Sequence, residues 1–428
     1  MSQRPALPDG LGYDGQGRLC LSRLVVSNIA AQLATPFYLY DLDIVRVRVK
    51  RLRQALAPLK PRICYAVKAN GSLSLLRLLA QENLGADIVS GGELARALAA
   101  GFAPANIIFA GVGKTDAEIL ASLKAGIGQF NVESEAELER IAHCAQALGV
   151  TAPVALRINP DVDAGTHSKI TTGRATDKFG LAPEAALALV RQRQRWPQIG
   201  IEALAFHLGS QLLDARPYAT ASIRLRELVL AVRAEGLPLR AVDLGGGFGV
   251  AQAQAAPFDF AAYVQAVSSQ LKPLELEITV EPGRYLVAEA GLLVTRVIQT
   301  KETAARRFVI IDAGMNDLLR PALYSAEHPV FPLVLDAQED WQPADLVGPI
   351  CESSDRFNRA LALPRLAQGD VLALGMAGAY GAVMRSSYND RALAAEVVAE
   401  GDRWAIATPA LSPEALLARE QLAPWLAH

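Results

Sequence analysis

Eight short runs of apolar and β-branched residues recur along the first two-thirds of the chain: ICYAVK near residue 63, ADIVS near 86, IIFAG near 107, QFNVES near 129, PVALRI near 153, IEALAFHLG near 201, AVDLGGG near 241 and ELEITVEPG near 275. Between them Ala, Leu, Glu and Arg repeat at helical spacing, as in GELARALAAG, DAEILASLKAG and SEAELERIAHCAQALG, each closed by a glycine where a helix C-cap belongs. Eight strand–helix alternations in about 240 residues have the rhythm of a (β/α)8 TIM-like barrel, with an open doubly wound sheet as the alternative on periodicity alone. The interval between the fifth and sixth runs is longer because it holds DVDAGTHSKITTGRATDKFG, a polar loop suited to act as a lid. After residue 285 the pattern becomes β-rich, in GLLVTRVIQT, RRFVIIDAG, DVLALGMAG and AEVVAEGDRWAIA, and predicts a second, all-β domain. The expected organisation is a barrel over residues 37–285 and a β domain built from 1–36 plus 286–428, which brings the chain ends together.

Composition narrows the class of partner. With 428 residues and 51% hydrophobic positions there is material for two cores. A formal net charge of -2 without a basic tract disfavours nucleic acid and anionic membranes and points to small molecules. Cys20, Cys64, Cys144 and Cys351 are far apart and form no CxxC, so neither a metal site nor a disulfide framework is expected. MSQRPALPDG lacks the apolar core of a signal peptide and no run of 18 apolar residues occurs, so a cytoplasmic protein is expected.

The chemically unusual residues fall at the ends of the predicted strands, where barrels of this kind build their sites. Lys68 follows ICYAV, Asp87 and Ser90 belong to the second run, and Arg157 with Asn159 follows from the fifth. His207, Ser210 and Gln211 follow the sixth, and Glu281, Pro282, Gly283 and Arg284 follow the eighth. A strand-end lysine commonly points its ammonium at water, but such a convergence is hard to obtain from independently solvated loops. DLGGGFG lets backbone amides approach an anion, and EPGR adds a tight turn with a guanidinium, both suited to a phosphate. GGGFG is not the GxGxxG of a dinucleotide site, which disfavours a nicotinamide cofactor. A lysine among apolar neighbours loses its charge readily, and its neutral amine can condense with an aldehyde. Lysine, phosphate cradle and carboxylate together point to pyridoxal 5'-phosphate, with Glu281 facing the pyridine nitrogen and His207 stacking on the ring.

YAVKAN, HLGSQ, DLGGGFG, EPGR, CESSD and GAYG, in that order, resemble the alanine-racemase-fold (fold type III) family of pyridoxal-phosphate decarboxylases, over about residues 35 to 400. NPDVDAGTHSKITTG with DKFG, DAGMNDLLRPALY and GPICESSD resemble the branch of that family that acts on meso-diaminopimelate. The resemblance implies that Lys68 carries the cofactor. It implies that Asp87, Gly246, Gly247, Ser210, the EPGR turn and Tyr380 surround that cofactor or its phosphate. It also implies a homodimer in which the second domain lends Cys351 and Glu352 to the neighbouring subunit's site, with Cys351 as proton donor to Cα and with Lys178 and Asp355 pairing across the interface. Two departures stand out: Ser354 replaces a glycine, and RSSYNDRALAAEV lacks the usual Asn after its first Ser and Pro after its Arg. Neither is expected to touch a residue with an assigned role.

The distal pocket follows the same logic. Arg320 and Tyr324 of RPALY, with Arg284 and Tyr380, suit a distal carboxylate, while Glu352 takes a distal ammonium. Both charges together describe an amino-acid head, so the expected reaction is decarboxylation of meso-2,6-diaminopimelate to L-lysine and CO2, the last step of lysine biosynthesis. A racemase of this fold would carry an arginine where Glu281 stands. A decarboxylase of ornithine or arginine would lack the need for Arg320, and a non-catalytic cofactor-binding regulator would have lost Lys68 or Cys351.

Overall fold

The eight predicted runs form eight strands: β1 (Arg62–Ala66), β2 (Gly85–Ile88), β3 (Ile107–Phe109), β4 (Gln129–Val132), β5 (Ala152–Arg157), β6 (Ile199–Ala205), β7 (Ala241–Asp243) and β8 (Glu277–Val280). The computed structural model describes residues 7–162, 178–251, 255–335 and 340–426, so the lid expected over 161–180 falls mostly outside the described residues. Every strand is parallel to its neighbours, and β8 returns to β1 through Thr279↔Arg62 and Val280↔Ile63. That closing pair decides for the barrel over the open sheet.

Local sequence explains the connecting helices. Helices Gly91–Ala100, Asp116–Ala125 and Glu135–Leu148 start at Ser90, Thr115 and Ser134, whose side chains accept the amide three residues on. They end at Gly101, Gly126 and Gly149, all in the left-handed conformation that costs glycine least. Leu138, Ile141, Ala142 and Ala145 lie at i, i+3, i+4 and i+7 on the buried face of the third helix. Each fully buried Leu or Ile contributes about 1.5–3 kcal/mol. Glu135 and Glu139 of the same helix are exposed to water, whereas Glu137 is buried and paired with Lys114 at 2.6 Å.

Contacts divide the chain into two compact units, residues 47–286 and residues 1–46 with 287–428. The second unit contains a nine-stranded sheet. Its strands are Phe37–Asp41, β9 (Gly291–Glu302), β10 (Arg307–Ile311), β11 (Val330–Pro332), β12 (Gln342–Val347), β13 (Arg356–Leu363), β14 (Val371–Leu374), β15 (Ala395–Glu400) and β16 (Arg403–Thr408). Residues 37–41, on the barrel side of the sequence boundary, here form a strand between β9 and β15. Tyr38, Leu293, Val309, Leu346 and Leu372 centre the core of this unit. Among the described residues no helix is long and apolar enough to cross a membrane.

Candidate active site

The β1–β2 register sets Ala66 opposite Asp87, so Lys68, in the 3-10 turn just beyond β1, reaches the second strand. Its Nζ lies 2.7 Å from Asp87 Oδ2. Asp87 is fully buried while the Lys68 side chain keeps 35% of its exposure, as an amine that must meet an incoming molecule requires. The other carboxylate oxygen, Asp87 Oδ1, is buried without a hydrogen-bond partner among the described residues. The EPGR turn packs directly on the lysine turn: Ala66 N–H donates to Pro282 O at 3.1 Å, and a Cβ on Gly283 would sit 3.0 Å from that of Ala69.

The loops after β6 and β7 are zipped together. Leu212 N–H donates to Gly247 O and Gly249 N–H to Leu212 O, while Gln211 exchanges two bonds with the backbone of Val250. Gly245 and Gly247 have left-handed φ, and any side chain on Gly246 would collide with the carbonyl of Glu281. The glycine run therefore serves close backbone packing as well as any anion. Gly246 N–H donates to His207 Nδ1 at 3.2 Å, which leaves the neutral ring's proton on Nε2. Desolvation first, then the Lys68 and Arg157 charges, hold the His207 pKa well below the ordinary value, so the ring is neutral. Arg284 donates to Ser210 Oγ at 3.0 Å.

Beneath these groups the barrel interior is polar. Glu281 is buried, and desolvation followed by the Asp243 and Asp87 charges raises its pKa well above the carboxylate range. It shares a hydrogen bond with Asp243 and lies 3.4 Å from Asn131 Nδ2. Gln129 donates to Asn131 at 2.7 Å and to Asp243 at 3.4 Å. Sequence reading missed Gln129, Asn131 and Asp243. The signal was present as polar residues on strand runs otherwise apolar, with Gln129 and Asn131 two apart on one face of β4. Glu133 was missed too: its carboxylate holds Arg157 at 2.8 Å and the amides of Gly111 and Gly180.

The remaining predicted residues belong to the second unit. Arg320 NH1 lies 3.0 Å from His328 Nε2, and His328 Nδ1 lies 2.8 Å from Gly375 O. A carbonyl only accepts, so Nδ1 carries the proton and Nε2 accepts from the guanidinium. Tyr324 ends the short helix that Arg320 begins, and Tyr380 is held at φ +56°, uncommon for a bulky residue. Cys351 and Glu352 are exposed; Cys351 Sγ donates to Asn389 Oδ1 at 3.6 Å. Glu352 Oε1 accepts from Tyr388 Oη at 2.6 Å and Oε2 from Ser354 Oγ at 2.9 Å. The expectation that the departures touch no residue with an assigned role fails at Ser354, which bonds Glu352 directly; at the second departure it is the neighbours of Ser387, Tyr388 and Asn389, that bond Glu352 and Cys351. Asp355 is not the solvated surface charge that was the alternative to its pairing with Lys178. It is buried, and its two oxygens accept the amides of Met315 and Ile350, both at 2.6 Å, which ties DAGMND to GPICES.

The barrel mouth fits a pyridoxal phosphate. It offers an amine held by a carboxylate, an acceptor oxygen of Asp87 left without a donor, a hydroxyl beside a guanidinium for an anion, and a buried acid network for a basic ring nitrogen. A (β/α)8 barrel with this set defines a pyridoxal-dependent enzyme. Residues 42–288 match the family described as pyridoxal-dependent decarboxylase, pyridoxal binding domain. The chain is 43% identical to the diaminopimelate decarboxylase of Zymomonas mobilis, covering 96% of this chain and 98% of that one. The crystal structure of diaminopimelate decarboxylase from Helicobacter pylori complexed with L-lysine superposes with a TM-score of 0.88 at 41% identity, over 92% of this chain and 98% of that one. The enzyme of M. jannaschii in co-complex with L-lysine gives a TM-score of 0.92 at 33% identity, over 98% and 99%. The chain belongs to the diaminopimelate decarboxylase family.

Proposed function

We propose that this chain removes carbon dioxide from one end of meso-2,6-diaminopimelate to give L-lysine, as a homodimer whose second unit lends Cys351 and Glu352 to the neighbouring subunit's barrel. The observation that carries the reading is the acid network of Glu281, Asp243 and Asn131 beneath the Lys68–Asp87 pair. Racemisation asks for a weak electron sink at that point and decarboxylation for a strong one.

Pyridoxal phosphate, when bound, supplies an aldehyde that captures the substrate amine and a protonated ring that accepts the electron pair left at Cα. Lys68, its Nζ held by Asp87 and open to an incoming molecule, would anchor the cofactor through its amine and, once free, would carry protons at Nζ. Glu281 would keep a basic ring nitrogen protonated, and His207, neutral and fixed by Gly246, would lie against the ring without adding positive charge. Ser210, Gly246, Gly247, Arg284 and Tyr380 bind the phosphate. Arg320 and Tyr324 grip the distal carboxylate and Glu352 the distal ammonium. Cys351 Sγ delivers the proton that replaces carbon dioxide at Cα.

Carbon dioxide release is followed with meso-diaminopimelate, ornithine and arginine offered separately to the cofactor-loaded protein. Release from meso-diaminopimelate alone, abolished in Lys68→Ala, is the expected outcome. Release from ornithine or arginine instead sinks the assignment of Arg320 and Glu352, and binding of the cofactor without any release supports a regulator.

A further inference from the structure

Glu352 is exposed, and a solvated glutamate ordinarily samples many rotamers, a freedom that any ligand it binds must remove. Here each of its carboxylate oxygens already accepts a hydroxyl, Tyr388 Oη at 2.6 Å on one and Ser354 Oγ at 2.9 Å on the other. Among the described residues it has no cationic partner, although arginine is abundant in this unit. A carboxylate offers about four lone-pair sites, so two remain for a donor that neither hydroxyl supplies. Ser354 stands where the resembling family carries glycine, which has no side chain to make this bond.

We propose that Ser354 and Tyr388 form a clamp that fixes Glu352 as the receptor for the substrate's distal ammonium, and so act as specificity-determining positioning residues that never touch substrate. The proposal rests on the reading of Glu352 given under Proposed function. A hydroxyl that donates to a carboxylate favours its ionised form, and both bonds do so here, Tyr388 more than Ser354. The clamp thus keeps Glu352 charged and oriented before substrate arrives, which lowers the entropy lost on binding.

The test uses the cofactor-loaded enzyme with Ser354→Ala, Tyr388→Phe, the double variant and Ser354→Thr. KM for meso-diaminopimelate rises roughly three- to tenfold in each hydroxyl-deleting single variant and further in the double, with kcat changing much less. Ser354→Thr, which keeps the hydroxyl, stays near the parent. The inhibition constant of 2-aminopimelate, which retains the distal carboxylate but lacks the distal amine, stays unchanged throughout. The acid limb of the kcat/KM profile moves to higher pH in the double variant. A parallel rise for both compounds overturns the clamp as a general loss of structure. Unchanged KM in the clamp variants with a large rise in Glu352→Gln overturns the clamp while the functional reading stands. Unchanged KM in Glu352→Gln itself removes the reading on which the clamp rests.

Discussion

Glu93 shows how one side chain can couple local structure to the chemistry beside it. Its carboxylate accepts Val89 N–H at 2.7 Å at the start of the helix that follows β2, two residues beyond Asp87. Desolvation, with the Asp87 charge adding to it, raises its pKa to about 7. A carboxyl raised in this way favours the folded state fully below its unfolded pKa of 4.5, and that stability is lost as pH rises through about 7. Glu93→Gln keeps the acceptor and removes the charge, so thermal unfolding at several pH values is expected to show a variant that gains about 2–3 kcal/mol on the parent between these limits. His328 is the second case. It gives Arg320 its acceptor, and His328→Ala is expected to raise KM for meso-diaminopimelate about tenfold, the equivalent of roughly 1.4 kcal/mol; steady-state kinetics read this directly.

At the scale of elements, the glycine run after β7 is the joint of the site. Gly246 lies against the backbone of Glu281, so the loop that offers amides and the strand end that offers the acid are held as one piece. Gly246→Ala forces them apart, and a loss on the order of 1–3 kcal/mol or more is expected from thermal melts, together with weakened cofactor retention. Strand and helix identity were legible beforehand, because period and caps are local: Gly101, Gly126 and Gly149 end helices as the sequence reading predicts, and the structure adds Ser90, Thr115 and Ser134 as the residues that begin them. The polar residues Gln129, Asn131 and Asp243 escaped because their role depends on which face of each strand turns into the barrel.

For the whole molecule the proposed sharing of sites between subunits has a sharp consequence. Lys68→Ala and Cys351→Ala, each inactive alone, recover about 25% of the parent activity when coexpressed, because half the dimers are mixed and one of the two sites in each is intact. Activity that stays absent on coexpression, with mixed dimers demonstrated, sinks the shared site.

The order of elements, the change from strand–helix alternation to a β-rich unit after residue 285, and the residue types of a pyridoxal site follow from the sequence alone, because periodicity, caps and short motifs are encoded by neighbours along the chain. Barrel closure was decided only by tertiary structure, through pairing of β8 with β1, whose partners Arg62 and Thr279 are 217 residues apart. So was the fate of individual charges. Asp355 reads as a charge for an interface pair and is buried on two amides of its own chain, while Ser354 reads as an indifferent departure and bonds Glu352. A side chain's partner depends on where separate loops meet in space, and that meeting is set by the packing of the whole sheet.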